Sequence, residues 1–215
     1  MTEVFGMAGL EVAVLDVDIF ALQNAVELNI KSAEEKLIGI VKVGGKNSTI
    51  SIVRNGVNLF TSDVGTGGRS ITEVISTETG ASFEEAEKIK RKLCLEKDGS
   101  GSEEEAYLDA LHKGVEYVAQ EIHKQFNYLL SAVDSGELSV VYASGGGVQS
   151  KGLLSALSER LGVPVEQFNP FSVIEINEEL HDLNYVKELS PFMGTAVGLA
   201  IREVGDKVKA EDFVE

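Results

Sequence analysis

Between residues 36 and 68 the chain carries three apolar or β-branched runs broken only by turn residues, and this stretch constrains the fold more than any other. LIGIV at 37–41 reads as a buried strand, Gly44-Gly45-Lys46-Asn47 as a turn, and STISIVR at 48–54 as a strand with β-branched residues at alternate positions. Asn55-Gly56 then closes a hairpin onto VNLFT, because both residues tolerate the positive φ that a type I′ turn demands. Three consecutive antiparallel strands are expected, ended by Gly65, Gly67 and Gly68, after which the chain turns helical.

The remaining pattern is mixed α/β. EVAVL at 11–15 reads as a short buried strand, followed by a helix capped by Asp16 or Asp18, with apolar positions at Phe20, Leu22, Ala25 and Val26. Ser82 and Glu85 form a capping box that opens a helix through Leu93, and the polar stretch EKDGSGS at 96–102 is a loop. From 103 to 133, Tyr107, Leu111, Val115, Val118, Ile122, Phe126, Leu129, Leu130 and Val133 recur in steps of three and four. They give one stripe on one helix, with a break expected near Gly114 and a stop at Asp134, Ser135 and Gly136. A buried strand at 138–142, a glycine turn at 145–147 and a helix at 152–161 closed by Gly162 follow. Pro164 and Pro170 bracket a short extended segment around Val165. A final helix is expected from Pro191 to Val204, its small residues Gly194, Ala196, Gly198 and Ala200 permitting close packing against a sheet, and the tail KVKAEDFVE is expected to fray.

Charge and composition narrow the function. The 215 residues include 19 Lys and Arg against 35 Asp and Glu, a net charge of −16 that repels phosphate backbones and anionic lipid, so nucleic acid is excluded as a general partner. A single cysteine, Cys94, allows no intrachain disulfide, and with His112, His123 and His181 it makes no spaced zinc site. No apolar run reaches the ~18 residues needed to cross a bilayer, and the N-terminus lacks a charged-then-apolar leader. The expectation is a cytoplasmic protein without direct membrane insertion.

Strand, glycine turn, helix is the geometry of a nucleotide site, since backbone N–H groups approach a ligand closely only where no Cβ intervenes. The turn Gly145-Gly146-Gly147 is the strongest such signal. It is not a Walker A loop, because Gly152 is followed by Leu153 and Leu154 rather than Lys-Ser/Thr, and a dinucleotide fingerprint fails at Ser150. Gly44-Gly45-Lys46 can wrap a phosphate with backbone amides, although an ordinary hairpin turn has the same composition. Lys88, Lys90, Arg91, Lys92 and Lys97 crowd into one short span, either an anion site or a solvated helix face. Glu87, Lys90 and Arg91 share a helical face at i, i+3 and i+4 and can meet a base and ribose, or simply pair with one another. Nothing has the look of a Ser/His/Asp triad.

Taken in order, these blocks resemble the second half of the actin-like ATPase superfamily, with a ribonuclease H-like α/β fold. At finer detail the chain is similar to the PilM family of type IV pilus assembly. The likeness rests on GLEVAVLDVDIFALQNAVEL from Gly9, STISIVRNGVNLFTSDVGTGGRSITEVI from Ser48, SFEEAEKIKRKL from Ser82, SGGGVQSKGLLSALSERLGVPVEQFNPF from Ser144 and MGTAVGLAIR from Met193. The resemblance implies that Gly44, Gly45 and Lys46 match the second phosphate loop, Gly67 and Gly68 a glycine pair near ribose and phosphates, and Gly145, Gly146, Gly147 and Val148 the adenosine loop. Glu87, Lys90 and Arg91 would match the adenine-side trio of DnaK-type chaperones, and Gly194 and Gly198 would lie in the helix connecting two lobes. It further implies ATP, with or without Mg²⁺, as cofactor, and a scaffold that docks on the cytoplasmic tail of PilN, a bitopic inner-membrane protein, placing the chain peripheral to that membrane.

On this resemblance the chain divides into a remnant of lobe I at 1–33, a hairpin sheet at 34–66, a mainly helical insert at 67–136, the adenosine-loop part at 137–188, and a connecting helix and tail at 189–215. The family's first Asp-x-Gly phosphate loop and the subdomain inserted after it precede the matched blocks, so an incomplete lobe I is expected to expose apolar surface that a homodimer or a partner chain would cover. Where the family places an acidic residue for the metal's water shell, this chain has Lys42. A cation there attracts phosphate and opposes Mg²⁺, which argues against hydrolysis and against a kinase-type enzyme of the same superfamily. An FtsA-like division anchor would end in a basic amphipathic helix, whereas KVKAEDFVE is acidic in character.

Overall fold

A computed structural model describes residues 2–30, 36–95, 102–134 and 136–203. The strand-forming runs assemble one five-stranded sheet of β1 (Leu37–Val43), β2 (Ser48–Arg54), β3 (Val57–Val64), β4 (Leu138–Ser144) and β5 (Val165–Gln167), in the order β3-β2-β1-β4-β5. The first three are antiparallel, as their spacing predicts, while β4 and β5 add parallel to β1, so the sheet is mixed. Asn55 and Gly56 stand at φ 52° and 76° and close the β2–β3 hairpin, the positive φ that this dipeptide accepts.

Alternation along β1 divides the sheet into two apolar faces. Leu37, Val41 and Val43 join the larger core, formed with α3 (Gly68–Thr79), α4 (Phe83–Leu95), α5 (Ser102–Ser131) and α6 (Leu153–Leu161). Ile40, with Ile38 packed beside it, joins the smaller core under α2 (Asp18–Asn29), which also takes in Phe168 and Val197. Gly39 faces the larger core, where a Cβ would stand 2.8 Å from the Phe126 ring, so the absent side chain lets α5 lie close to the sheet. On the other side Gln23 of α2 donates to the Gly56 carbonyl at 3.0 Å and accepts from Asn58, fastening α2 to the hairpin.

The capping box forms as written in the sequence: the Ser82 N–H and hydroxyl donate to Glu85 Oε2, and the Glu85 N–H donates back to Ser82 Oγ. These bonds hold the Glu85 carboxyl below its ordinary range. Helix α6 ends at Gly162, as its composition indicates.

Three expectations are corrected. Residues 11–15 form no strand: the segment alternates in exposure, but no strand pairs with it among the described residues, and a strand needs a neighbour for its backbone. Helix α5 does not break at Gly114, because that glycine admits the backbone of α3; a Cβ there would come within 3.0 Å of Ile71 Cα. The last helix, α7 (Leu183–Ala200), begins before Pro191, capped by Asp182, whose carboxylate accepts from the Asn184 N–H. It packs mainly on α2, where a Cβ at Gly198 would fall 1.6 Å from the Ala21 carbonyl oxygen, and meets the sheet at Gly194, where a Cβ would stand 2.9 Å from Ser144 Oγ of β4. Of its small residues, Gly194 and Gly198 face inward one helical turn apart, while Ala196 and Ala200 are exposed. The loop at 96–101, Ser135, Val204 and the tail lie outside the described residues. A short helix α1 (Thr2–Met7) precedes the segment at 11–15, and Val4, Met7, Leu10, Leu15 and Val17 along the stretch are exposed.

Candidate functional site

The parallel pairing of β1 with β4 brings the two glycine bends to the same end of the sheet, because both strands run toward it. A cleft of about 970 Å³ opens there, with Gly44, Gly45 and Lys46 on one side, Gly146 and Gly147 on another, and Glu87, Lys90 and Arg91 of α4 forming a wall.

Glycine is required at the bends by close contact. Gly145 has φ 94°, and a Cβ on it would stand 2.4 Å from the Val43 carbonyl oxygen; one on Gly147 would meet Val43 Cγ1 at 2.3 Å. The Gly145 N–H donates to the Pro191 carbonyl at 2.7 Å, while among the described residues nothing in the protein accepts from the amides of Gly146 and Gly147, which open the 3₁₀ turn Gly146–Gln149. In the other bend the Gly44 N–H is bound to the Asn47 carbonyl, and the amides of Gly45 and Lys46 have no protein acceptor among the described residues. Four backbone donors are thus available to an anion at the end of the sheet.

Helix α3 does not offer the amides its position suggests. The Gly68 N–H donates to the Gly44 carbonyl at 2.9 Å and the Arg69 N–H to the Gly45 carbonyl at 2.8 Å, so the start of the helix holds the β1–β2 turn in place. A Cβ on Gly67 would stand 2.4 Å from the same Gly44 oxygen, which accounts for the glycine there.

The trio on α4 is closed on itself and on α3. Lys90 is buried, and its Nζ donates to the Gly68 carbonyl at 2.9 Å, to Thr72 Oγ1 at 2.8 Å and to Glu87 Oε2 at 2.7 Å, which occupies all three of its hydrogens. Glu87 also accepts from the Thr72 hydroxyl and, at 2.9 Å, from Arg91 Nε. Burial alone would raise the Glu87 pKa, but the hydrogen bonds from Lys90, Thr72 and Arg91 outweigh it and hold it at about 2. Arg91 is largely exposed and lines the cleft.

Of the residues named from the sequence, Gly44, Gly45, Lys46, Gly68, Glu87, Lys90, Arg91, Gly146 and Gly147 line this one cleft. Gly67 and Gly145 lie behind it and shape the bends, and the Val148 side chain is buried in the larger core, leaving only backbone for any ligand. Of the basic run, Lys88 is on the surface, Lys92 is exposed, and Lys97 lies outside the described residues. Lys42 projects on the α2 face of β1 and pairs with Asp18 at 2.6 Å.

Sequence reading missed the aromatic part of the wall. Phe83 and Phe192 both line the cleft, and the Arg69 guanidinium stands 5.0 Å from the centre of the Phe83 ring. The one signal for them is adjacency: Phe83 follows the capping Ser82, Arg69 follows the glycine pair, and Phe192 follows Pro191. Among the described residues no helix is long and apolar enough to cross a membrane.

Comparison with known proteins bears on the fold and the family. The family described as type IV pilus assembly protein PilM matches residues 1–204. A solved structure titled "PilM-PilN type IV pilus biogenesis complex" superposes with a TM-score of 0.77 at 24% identity, covering 93% of this chain and 55% of that one. The ethanolamine utilization protein EutJ from Carboxydothermus hydrogenoformans gives a TM-score of 0.61 at 22% identity, covering 93% of this chain and 58% of that one. Ta0583, an archaeal actin homolog, gives 0.53 at 13% identity over 86% of this chain and 52% of that one. The chain therefore has the α/β fold of the actin-like ATPases and spans little more than half the length of the solved structures it matches.

Proposed function

The chain belongs to the PilM family of type IV pilus assembly proteins, and on that premise we propose that it is an actin-like scaffold of pilus assembly that holds an adenine nucleotide in the cleft at the end of its sheet. The observation that carries this reading is convergence: two glycine bends far apart in sequence and the charged face of α4 border one cavity, and four of its lining side chains, Lys46, Arg69, Lys90 and Arg91, are cationic in a chain of net charge −16.

In this reading the free amides of Gly45, Lys46, Gly146 and Gly147 take the phosphates together with the Lys46 ammonium. The planar Arg91 guanidinium and the Phe83 ring offer flat surfaces for the base. Lys90 and Glu87 contribute by holding α4 against α3, not by touching the ligand. The nucleotide is a structural ligand, and its turnover is no part of the role. The printed partner of the similar solved structure is PilN; by analogy this chain docks on the cytoplasmic tail of a PilN-like inner-membrane protein.

Calorimetric titration with ATP tests the site. The parent chain is expected to bind, and Arg91→Ala to bind about tenfold more weakly, a loss of about 1.4 kcal/mol. No heat from the parent would remove the nucleotide reading. Retention of the chain on an immobilised PilN-like tail peptide tests the docking separately, and loss of that retention would leave the nucleotide site standing.

A further inference from the structure

An actin-like ATPase fold implies Mg²⁺ beside the phosphates, and Mg²⁺ in nucleotide sites is held through one or two carboxylates together with the substrate oxygens. The donor set here does not fit that need. Among the described residues Glu87 is the one carboxylate lining the cleft, and its oxygens accept from Thr72, Lys90 and Arg91. Two further acids near this end of the sheet are also paired: Asp18 meets Lys42 at 2.6 Å, and Glu73 meets Arg69 at 2.9 Å. Among the described residues no three His, Cys, Asp or Glu side chains gather into a metal-holding group.

The same positions are well provided for an anion that carries no metal. Lys46 is exposed at the tip of the β1–β2 turn and enters no ion pair among the described residues. The amides on either side of the cleft add donors that need no counterion. A divalent cation placed among these side chains meets like charge, and a magnesium-bound nucleotide presents two fewer negative charges to them than the free nucleotide does.

We infer that the cleft binds its nucleotide as the free polyphosphate anion, with Lys46 in the place that a metal ion takes elsewhere, and that Mg²⁺ adds nothing to affinity. This rests on the nucleotide reading above.

The test is calorimetric titration of the whole chain with adenosine diphosphate at fixed ionic strength, once with EDTA and once with excess Mg²⁺, beside Lys46→Gln in EDTA. Binding in EDTA at least as tight as in Mg²⁺ is the expected result, with Lys46→Gln weaker by about tenfold, the scale of one charge-assisted hydrogen bond. Tighter binding in Mg²⁺ overturns the inference and leaves the nucleotide site intact. An unchanged affinity for Lys46→Gln overturns the role given to that ammonium. Absence of binding in both buffers overturns the nucleotide reading itself, and this inference with it.

Discussion

Lys90 and Glu87 illustrate what a residue's neighbours decide. Their spacing along α4 puts them on one face, and that much is legible from sequence. The acceptors that saturate Lys90, the Gly68 carbonyl and Thr72 Oγ1, come from the start of α3 and exist only once the two helices pack. A trio that sequence offers to a ligand is therefore turned into a clamp between helices. The Glu87 carboxyl carries the measurable trace: its pKa is near 2 in the folded chain against an ordinary 4.5, so the folded state binds fewer protons than the unfolded one between those values. Its contribution to stability is complete above the ordinary pKa and is lost as pH falls toward 2. Urea denaturation across pH should show Glu87→Gln less stable than the parent at neutral pH, with the gap closing as pH drops from about 5 toward 2. A gap that stays constant with pH would count against the clamp.

At the level of elements, the local rules of turns and caps carried the hairpin, the capping box and the glycine that ends α6. They failed where tertiary packing overrides them. Gly114 reads as a helix break but serves contact between α3 and α5, and Pro191 reads as a helix start but sits inside α7. Residues 11–15 have the composition of a strand and lack the neighbouring strand that would make them one. Among the described glycines, the one that leaves least room for a Cβ is Gly198, where even a methyl group would overlap the Ala21 carbonyl. Gly198→Ala should force α2 and α7 apart and destabilise the fold by about 1–3 kcal/mol, read as a lowered thermal midpoint. Ala196→Ser, at an exposed position of the same helix, should leave the midpoint nearly unchanged.

Over the whole molecule, the order of strands, glycine bends and helices was enough to indicate the actin-like fold, because each block keeps its place in the chain. The cleft was legible only in outline. Which amides remain free depends on hydrogen bonds between distant loops, and the Phe83 and Phe192 rings enter from helices whose faces sequence does not orient. Cys94, half-buried in the cleft wall with its sulfur accepting from the Lys151 N–H at 3.3 Å, gives a native reporter of occupancy. Bound nucleotide should slow its alkylation several-fold relative to the free chain, and equal rates would mean that the ligand sits elsewhere. The Pro191 carbonyl, which takes hydrogen bonds from both Ser144 Oγ and the Gly145 N–H, lies on the same helix as Gly198, seven residues or about 10 Å away. Helix α7 thereby ties the glycine bend, held at mid-helix, to α2, against which its last turn is wedged. Any shift of the glycine bend has therefore to be accommodated at the α2 contact as well, since both attachments belong to one helix.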